Sequence, residues 1–260
     1  MELVRRLNGF LRYLGLRRSS YWDKPALLDE WLESPLKAMV VRLYCISSMA
    51  ARQSHQAATQ SASYQSDLLI HAGDLTQGGT AAEIQAQLDW LDTLPHTHKV
   101  LISGNHDRYF DIKTRHDEDT LTHARLDFKR IHYLERKSVT LSFKGQRRLN
   151  IFGAPDIIGP TGTSSTNAFQ YDAGHHPWRE AVPRNTDVLI THGPPRHHLD
   201  LNLGCSGLLR DGWRVKPKLH VFGHIHCSRG TQSVFWDSCQ LGYENFLSRK
   251  MRGPLLGHGS

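Results

Sequence analysis

The stretch from Leu101 to Asp107 joins a short apolar run to three side chains that can do chemistry. After Ser103 and Gly104, the chain presents Asn105, His106 and Asp107 in succession. An amide oxygen can bind a metal ion, an imidazole can deliver a proton, and a carboxylate can orient or stabilise that imidazole. The turn therefore predicts the proton-donating part of a metal site, with His106 as the general acid and Asp107 as its partner.

The same arrangement recurs at the ends of other apolar runs, where a glycine adjoins a side chain able to bind a metal ion. The four turns carry Asp74 after Gly73, Asn105 after Gly104, His192 before Gly193, and His224 with His226 after Gly223. Glycine at each turn would let the backbone approach a bound group closely. One such turn is weak evidence, but four of them are hard to obtain from packing alone.

Strands must bring these turns together, and the sequence predicts them from short apolar runs. The predicted strands are Asp67–His71, Lys99–Ile102, Asp187–Thr191 and Lys218–Phe222, with an earlier one at Met39–Ser47. Apolar residues Ile84, Leu88 and Leu91 predict a helix over Thr80–Leu94. This helix connects the strands Asp67–His71 and Lys99–Ile102, so the three elements form a βαβ unit. In α/β sheets, ligands gather beyond the carboxyl ends of the strands, where all four turns would lie.

The remaining elements are predicted from the same patterns. Residues Ser138–Phe143 and Arg147–Phe152 read as a hairpin around Gly145. We expect helices over Cys205–Arg214, over Ser233–Met251 and within the polar stretch from Asp107 to Arg130, and a surface loop over Gly159–Gly174.

The side chains of these turns suit a particular set of cations. A carboxylate such as Asp74 can bridge two cations, whereas neutral amide oxygens and imidazoles suit Mn, Fe, Zn or Ni. Two cations about 4 Å apart would hold a phosphate, polarise it and lower the pKa of a bridging water molecule. The predicted chemistry is hydrolysis of a phosphate ester, with His106 protonating the leaving oxygen.

Taken together, these motifs resemble those of the calcineurin-like metallophosphoesterases, within the subfamily related to class III cyclic-nucleotide phosphodiesterases. The resemblance covers roughly residues 40–229 and is carried by Gly73-Asp74, Gly104-Asn105-His106-Asp107, His192-Gly193-Pro194-Pro195 and Gly223-His224-Ile225-His226. It implies an α/β fold, a four-layer α/β/β/α sandwich with the metal site at the carboxyl ends of the strands.

The resemblance also implies a role for each ligand. Asp74 would bridge two metal ions. Asn105, His192 and His224 would complete the coordination of one ion, and His226 would bind the other. A phosphate ester would be the substrate.

The first strand departs from the family pattern. The family carries Asp-x-His at the end of this strand, where Ser48 and Ala50 stand in this chain. A serine hydroxyl is a poor metal ligand and alanine offers none. We therefore expect one well-held metal site and a second, weak site that keeps only Asp74 and His226. His55, in the following Ala/Gln/Ser-rich segment, is a candidate replacement ligand.

Three regions are predicted along the chain: an extension over residues 1–38, the metallophosphoesterase domain over residues 39–230, and a helical or irregular tail over residues 231–260. The extension carries leucines at helical spacing among arginines. It reads either as a helix that covers the domain or as one that contacts a membrane surface or a protein partner. After Arg229 the sequence turns polar, so the further strands that close the second sheet in the family are expected to be missing.

Composition narrows the class of protein. With 39% hydrophobic and 22% charged residues the chain reads as globular, and its four scattered cysteines favour free thiols and a cytoplasmic location. The net charge of +7 fits either an anionic partner or solvated arginines. No nucleic-acid-binding module and no G-x-S-x-G nucleophile turn is present. Two hypotheses remain: an impaired phosphoesterase, or an inactive module that binds one metal or a phosphorylated ligand.

Overall fold

The computed structural model describes residues 43–46, 67–159, 167–172 and 175–251. Its strands form two four-stranded sheets and one short two-stranded sheet. The first sheet has the order β1-β2-β3-β4 and all its strands are parallel. Its members are β1 (Leu43–Ile46), β2 (Leu68–Ala72), β3 (His98–Ile102) and β4 (Ile131–Tyr133).

The second large sheet is mixed. In the order β10-β9-β6-β5, the β5–β6 hairpin is antiparallel and the other two pairings are parallel. Its strands are β5 (Lys137–Phe143), β6 (Arg147–Ala154), β9 (Val188–Thr191) and β10 (Leu219–Phe222). The short sheet pairs β7 (Ile157–Ile158) with β8 (Gln170–Tyr171).

Alternation along the strands places one apolar face of each large sheet against the other. Ile70 and Ile102 from the first sheet pack in one buried cluster with Ile151, Ile190 and Val221 from the second. Because successive side chains of a strand point to opposite faces, the neighbours of these residues face outwards from the sandwich.

Each outward face is covered by a helix. On the first sheet, Leu69 and Leu101 pack against Ile84, Leu88 and Leu91 of α1 (Ala81–Thr93). On the second, Phe152 and Leu189 pack with Leu208 of α3 (Ser206–Val215). The resulting order of layers is helix, sheet, sheet, helix, which confirms the predicted α/β/β/α sandwich.

Several predicted elements match the structure closely. The strands of the predicted βαβ unit and the hairpin begin and end within about two residues of β2, β3, β5 and β6. Helix α1 begins where predicted because Thr80 and Glu83 form a reciprocal capping box at its N-terminus. Among the described residues, β10 lies at the edge of its sheet, and α4 (Ser238–Met251) follows it.

Two predictions were wrong in part. The stretch from Asp107 to Arg130 contains only one short α-helix, α2 (Asp117–Leu121), and the left-handed backbone of His123 (φ 50°) follows it directly. The predicted surface loop over Gly159–Gly174 includes the buried residue Ala168 and the paired strand β8. The predictions for the amphipathic extension and for Ser48, Ala50 and His55 lie outside the described residues.

Candidate metal centre

The turn after β2 carries Asp74 in an unusual backbone conformation. Gly73 and Asp74 both have positive φ angles, of 95° and 55°. A Cβ atom on Gly73 would lie 2.5 Å from His192 Nδ1 and 2.7 Å from the Ser103 carbonyl oxygen, so only glycine allows this close approach. The turn thereby sets the Asp74 carboxylate against the end of β9, in the other sheet.

The hydrogen bonds of His192 fix which of its ring nitrogens faces the site. Nδ1 lies 2.8 Å from the carbonyl oxygen of Ala72, which can only accept, so Nδ1 carries the proton of the neutral ring. Nε2 then presents a lone pair towards Asn105 Oδ1 at 3.0 Å and Asp74 Oδ1 at 3.3 Å. Three electron-rich atoms converge on one point, which is the arrangement that a cation between them would stabilise.

The second histidine of the cluster also follows a strand of the second sheet. His224 follows β10 with a left-handed φ of 68°, and its ring centroid lies 5.0 Å from that of His192. Ligand atoms of Asp74, His192 and His224 all lie within 4.8 Å of one another. Ligands that each bind one cation at about 2.0–2.2 Å fall within this spread, so the residues fit a divalent metal ion.

The charges of these groups also suit a metal ion. Burial would raise the pKa of Asp74, but the neighbouring His192 and the His106 N–H lower it to about 2, so the carboxylate is ionised. Burial lowers the pKa of His224 to about 4, and its ring is neutral at pH 7 with a lone pair to give. Burial lowers the pKa of His192, but the neighbouring Asp74 carboxylate raises it overall, so this carboxylate favours a positive charge at the position between the two residues.

His106 and His226, the other predicted histidines, lie outside this three-residue cluster. The backbone N–H of His106 donates to Asp74 Oδ1 at 3.1 Å, so the backbone of His106 lies next to the cluster. The His106 side chain is half-buried. His226 is exposed and begins a 3-10 turn shortly after His224.

Asp107 makes contacts that differ from the predicted ones. Its carboxylate is fully buried and accepts four hydrogen bonds, from the N–H groups of Gly104 (2.8 Å), Leu75 (3.1 Å) and Thr76 (3.0 Å) and from the Thr76 hydroxyl (3.0 Å). Burial raises its pKa to about 6. These bonds tie the Asp74 turn to the Asn105 turn, so the carboxylate holds two ligand-bearing turns instead of orienting the His106 ring.

Two residues at this edge were missed by the sequence analysis. Asp156 follows β6, whose last residue Ala154 pairs with Thr191 next to His192. Its carboxylate is buried and paired with Arg136. Ala168 donates its N–H to the carbonyl oxygen of Asn105 at 2.9 Å and so braces the second ligand turn. The sequence analysis identified candidate ligands by a glycine next to them at the end of a predicted strand. Neither Asp156 nor Ala168 adjoins such a glycine.

The fold and the site define a class of protein, the metallophosphoesterase sandwiches. A model of the calcineurin-like phosphoesterase family matches residues 49–228, and the chain belongs to this family of metal-dependent phosphoesterases.

Three relatives are similar to this chain, which spans only part of the length of each. A protein of Emericella nidulans named "Probable rhamnogalacturonate lyase C" is 41% identical over 189 residues, which are 72% of this chain but only 18% of that protein. UPF0046 protein C25E10.12 of Caenorhabditis elegans is 33% identical, with 76% of this chain and 73% of the relative covered. Human metallophosphoesterase domain-containing protein 1 is 32% identical, over 64% of this chain and 56% of its own length.

A solved structure shares the fold. The crystal structure of TT1561 of Thermus thermophilus superposes with a TM-score of 0.54 at 14% identity, over 75% of this chain and 85% of that one. Within the described residues, no helix has the length and apolar character needed to cross a membrane.

Proposed function

We propose that this protein is a metal-dependent phosphoesterase that hydrolyses phosphodiesters or phosphomonoesters. The observation that carries the proposal is the convergence of three potential ligand atoms, with His192 Nε2 at 3.0 Å from Asn105 Oδ1 and at 3.3 Å from Asp74 Oδ1. His224 completes the ligand set. Mn, Fe, Zn or Ni would suit these oxygen and imidazole ligands.

A divalent cation held there would polarise a phosphoryl oxygen and lower the pKa of the water molecule that attacks phosphorus. The protein's own residues supply the rest. Asp107 keeps the two ligand turns in register, and the Ala72 carbonyl keeps the His192 lone pair directed into the site. His106, at the edge of the Asp74 carboxylate, donates a proton to the leaving oxygen of the ester.

The experiment uses the full chain loaded with Mn²⁺, a chromogenic phosphodiester and a chromogenic monoester. His106→Ala should reduce kcat by about 10²–10⁴-fold while the bound metal stays unchanged, because a general acid acts on the reaction and not on metal binding. His175→Ala, which changes an exposed histidine, is the matched control. Turnover that survives in His106→Ala would remove His106 from the mechanism.

Metal content tests the second part of the proposal, that one ion is held well and the other weakly. Ser48 and Ala50 stand where the family carries an aspartate and a histidine, and exposed His226 is not in the cluster. We expect about one ion per chain by elemental analysis. The double variant Ser48→Asp, Ala50→His should raise this towards two and increase turnover; an unchanged metal content would refute the explanation.

The same observations favour a second candidate function, an inactive module that binds one metal ion and a phosphorylated ligand. In that case the chain would hold one ion and bind phosphate in calorimetry without any turnover of either ester. Turnover in the parent chain that is lost in His106→Ala would exclude this candidate.

A further inference from the structure

A small cavity lies directly beside the candidate metal centre. His224 and Gly193 form one side of it, Asp156 forms another, and the apolar side chains of Ile157 and Leu208 contribute to its walls. Its volume of about 20 Å³ leaves room for roughly one water-sized group. Because His224 lines the cavity and also belongs to the ligand cluster, the cavity adjoins the candidate metal centre.

Asp156 is the charged residue of this cavity, and its charge is already balanced. Its side chain is 3% exposed, and Arg136 binds both carboxylate oxygens, with Nε donating to Oδ2 at 3.0 Å and Nη2 donating to Oδ1. Each carboxylate oxygen can accept a further hydrogen bond. Because the ion pair as a whole is neutral, it favours an uncharged donor over an ammonium group.

The other polar groups of the cavity are less suited to recognise a ligand. The Tyr171 hydroxyl already accepts a hydrogen bond from Trp178 Nε1 at 3.0 Å, and Cys205 Sγ accepts one from the Leu208 N–H at 3.3 Å. Among the side chains that line the cavity, Asp156 is the charged hydrogen-bond acceptor.

We propose that this cavity is a subsite for a hydroxyl group of the substrate's alcohol part, and that Asp156 accepts its hydrogen bond. The substrate class would then be phosphate esters of polyols, with a free hydroxyl close to the ester oxygen. A plain alkyl group would leave the remaining acceptor positions of the Asp156 carboxylate unused. The inference rests on the proposed phosphoesterase function.

The test compares two phosphonates that differ by one hydroxyl, 3-hydroxypropylphosphonate and propylphosphonate, by calorimetry on the full chain loaded with Mn²⁺. Neither compound is hydrolysed, so the readout is binding alone. A hydrogen bond to a carboxylate should make the hydroxylated compound bind about 10-fold more tightly. In Asp156→Asn this preference should fall to about twofold or less, with propylphosphonate affinity and metal content retained.

A second variant keeps the test informative if Asp156→Asn does not fold. Gly193→Ala adds a methyl group to the cavity wall, where its nearest neighbour would be Ile157 Cγ2 at 3.5 Å, and should weaken the hydroxylated compound selectively. Gly212→Ala, whose new Cβ would meet Trp236 at 3.6 Å, is the matched control outside the cavity and should keep the preference.

The outcomes separate the two proposals. Equal affinity for both phosphonates in the parent chain would overturn the hydroxyl subsite and leave phosphoryl binding intact. An Asp156→Asn variant that keeps the full preference would also overturn it. Failure of the metal-loaded parent chain to bind either phosphonate would overturn the proposed function and, with it, the subsite.

Discussion

Replacing Asp107 by asparagine tests whether this carboxylate fixes the two turns that carry Asp74 and Asn105. The carboxylate is the acceptor in all four of its hydrogen bonds, whose donors are the N–H groups of Gly104, Leu75 and Thr76 and the Thr76 hydroxyl. An asparagine has only one acceptor oxygen, and its NH₂ group would face two of those donors. Each buried donor left without an acceptor costs about 1–3 kcal/mol, so the free energy of unfolding should fall by about 2–6 kcal/mol.

The same change should loosen both ligand-bearing turns, because Leu75 and Thr76 follow Asp74 directly and Gly104 precedes Asn105. Loss of a residue that positions metal ligands typically weakens metal affinity about 10–100-fold. Urea denaturation followed by circular dichroism measures the first effect, and competition with a metal-sensitive dye measures the second. Asp117→Asn changes an exposed aspartate outside the site and should leave both unchanged.

An Asp107→Asn variant that unfolds at the same urea concentration as the parent chain and binds metal equally well would refute this role. A variant that is stable but loses turnover at unchanged metal affinity would instead restore the original prediction, that Asp107 acts on the His106 imidazole.

Three further predictions follow from particular contacts. Glu244→Gln should weaken the docking of α4 near neutral pH. Burial would raise the pKa of Glu244, but hydrogen bonds from His198 and Trp213 lower it overall, so the stability that the carboxylate adds is present above the ordinary glutamate pKa and is lost as the pH falls below it. The melting temperatures of the variant and the parent chain should therefore converge in acid. Gly104→Ala should lower metal affinity about 10-fold or more in dye competition, because the new Cβ would lie 2.6 Å from His192 Cε1 and would also meet Asp74; Gly242→Ala, with nothing within 4 Å, should not. Chelation of the metal should lower the melting temperature of the parent chain, since saturation at about 100 times Kd adds about 2.7 kcal/mol to the native state; an unchanged melting temperature would contradict binding at a site built from both sheets.

Local sequence patterns were sufficient for the strands of four or more residues and for the glycines that adjoin two of the candidate ligands, but they missed the shorter strands β4, β7 and β8. All five residues from Leu68 to Ala72 are buried and all but His71 are apolar, which is typical of a parallel strand covered on both faces. Glycine at positions 73 and 104 was also informative, because both lie against the His192 ring where a Cβ has no room. These signals depend only on neighbours in the chain.

Contacts between distant segments could not be predicted in this way. Asp107 adjoins His106 in sequence, but its hydrogen-bond partners Leu75 and Thr76 lie 32 and 31 residues earlier. Adjacency favoured the imidazole, and only the packing of β2 beside β3 reveals the competing backbone donors. Asp156 was missed for a related reason: β6 was predicted as a hairpin strand, and its parallel pairing with β9 is what brings its end to the site.

The hydrogen bond between His192 and Ala72 joins the chemistry of the site to the packing of the sandwich. Ala72 ends β2 in the first sheet, and His192 follows β9 in the second, so the proton position on the ring depends on how the two sheets are offset. If the two sheets moved apart by the length of a hydrogen bond, His192 Nδ1 would lose its acceptor. The proton could then move to Nε2, which would no longer offer a lone pair to a cation. The apolar core between the sheets therefore holds the Ala72 carbonyl against the ring of this candidate ligand, and we expect substitutions in that core to alter metal affinity in dye competition even when they touch no candidate ligand.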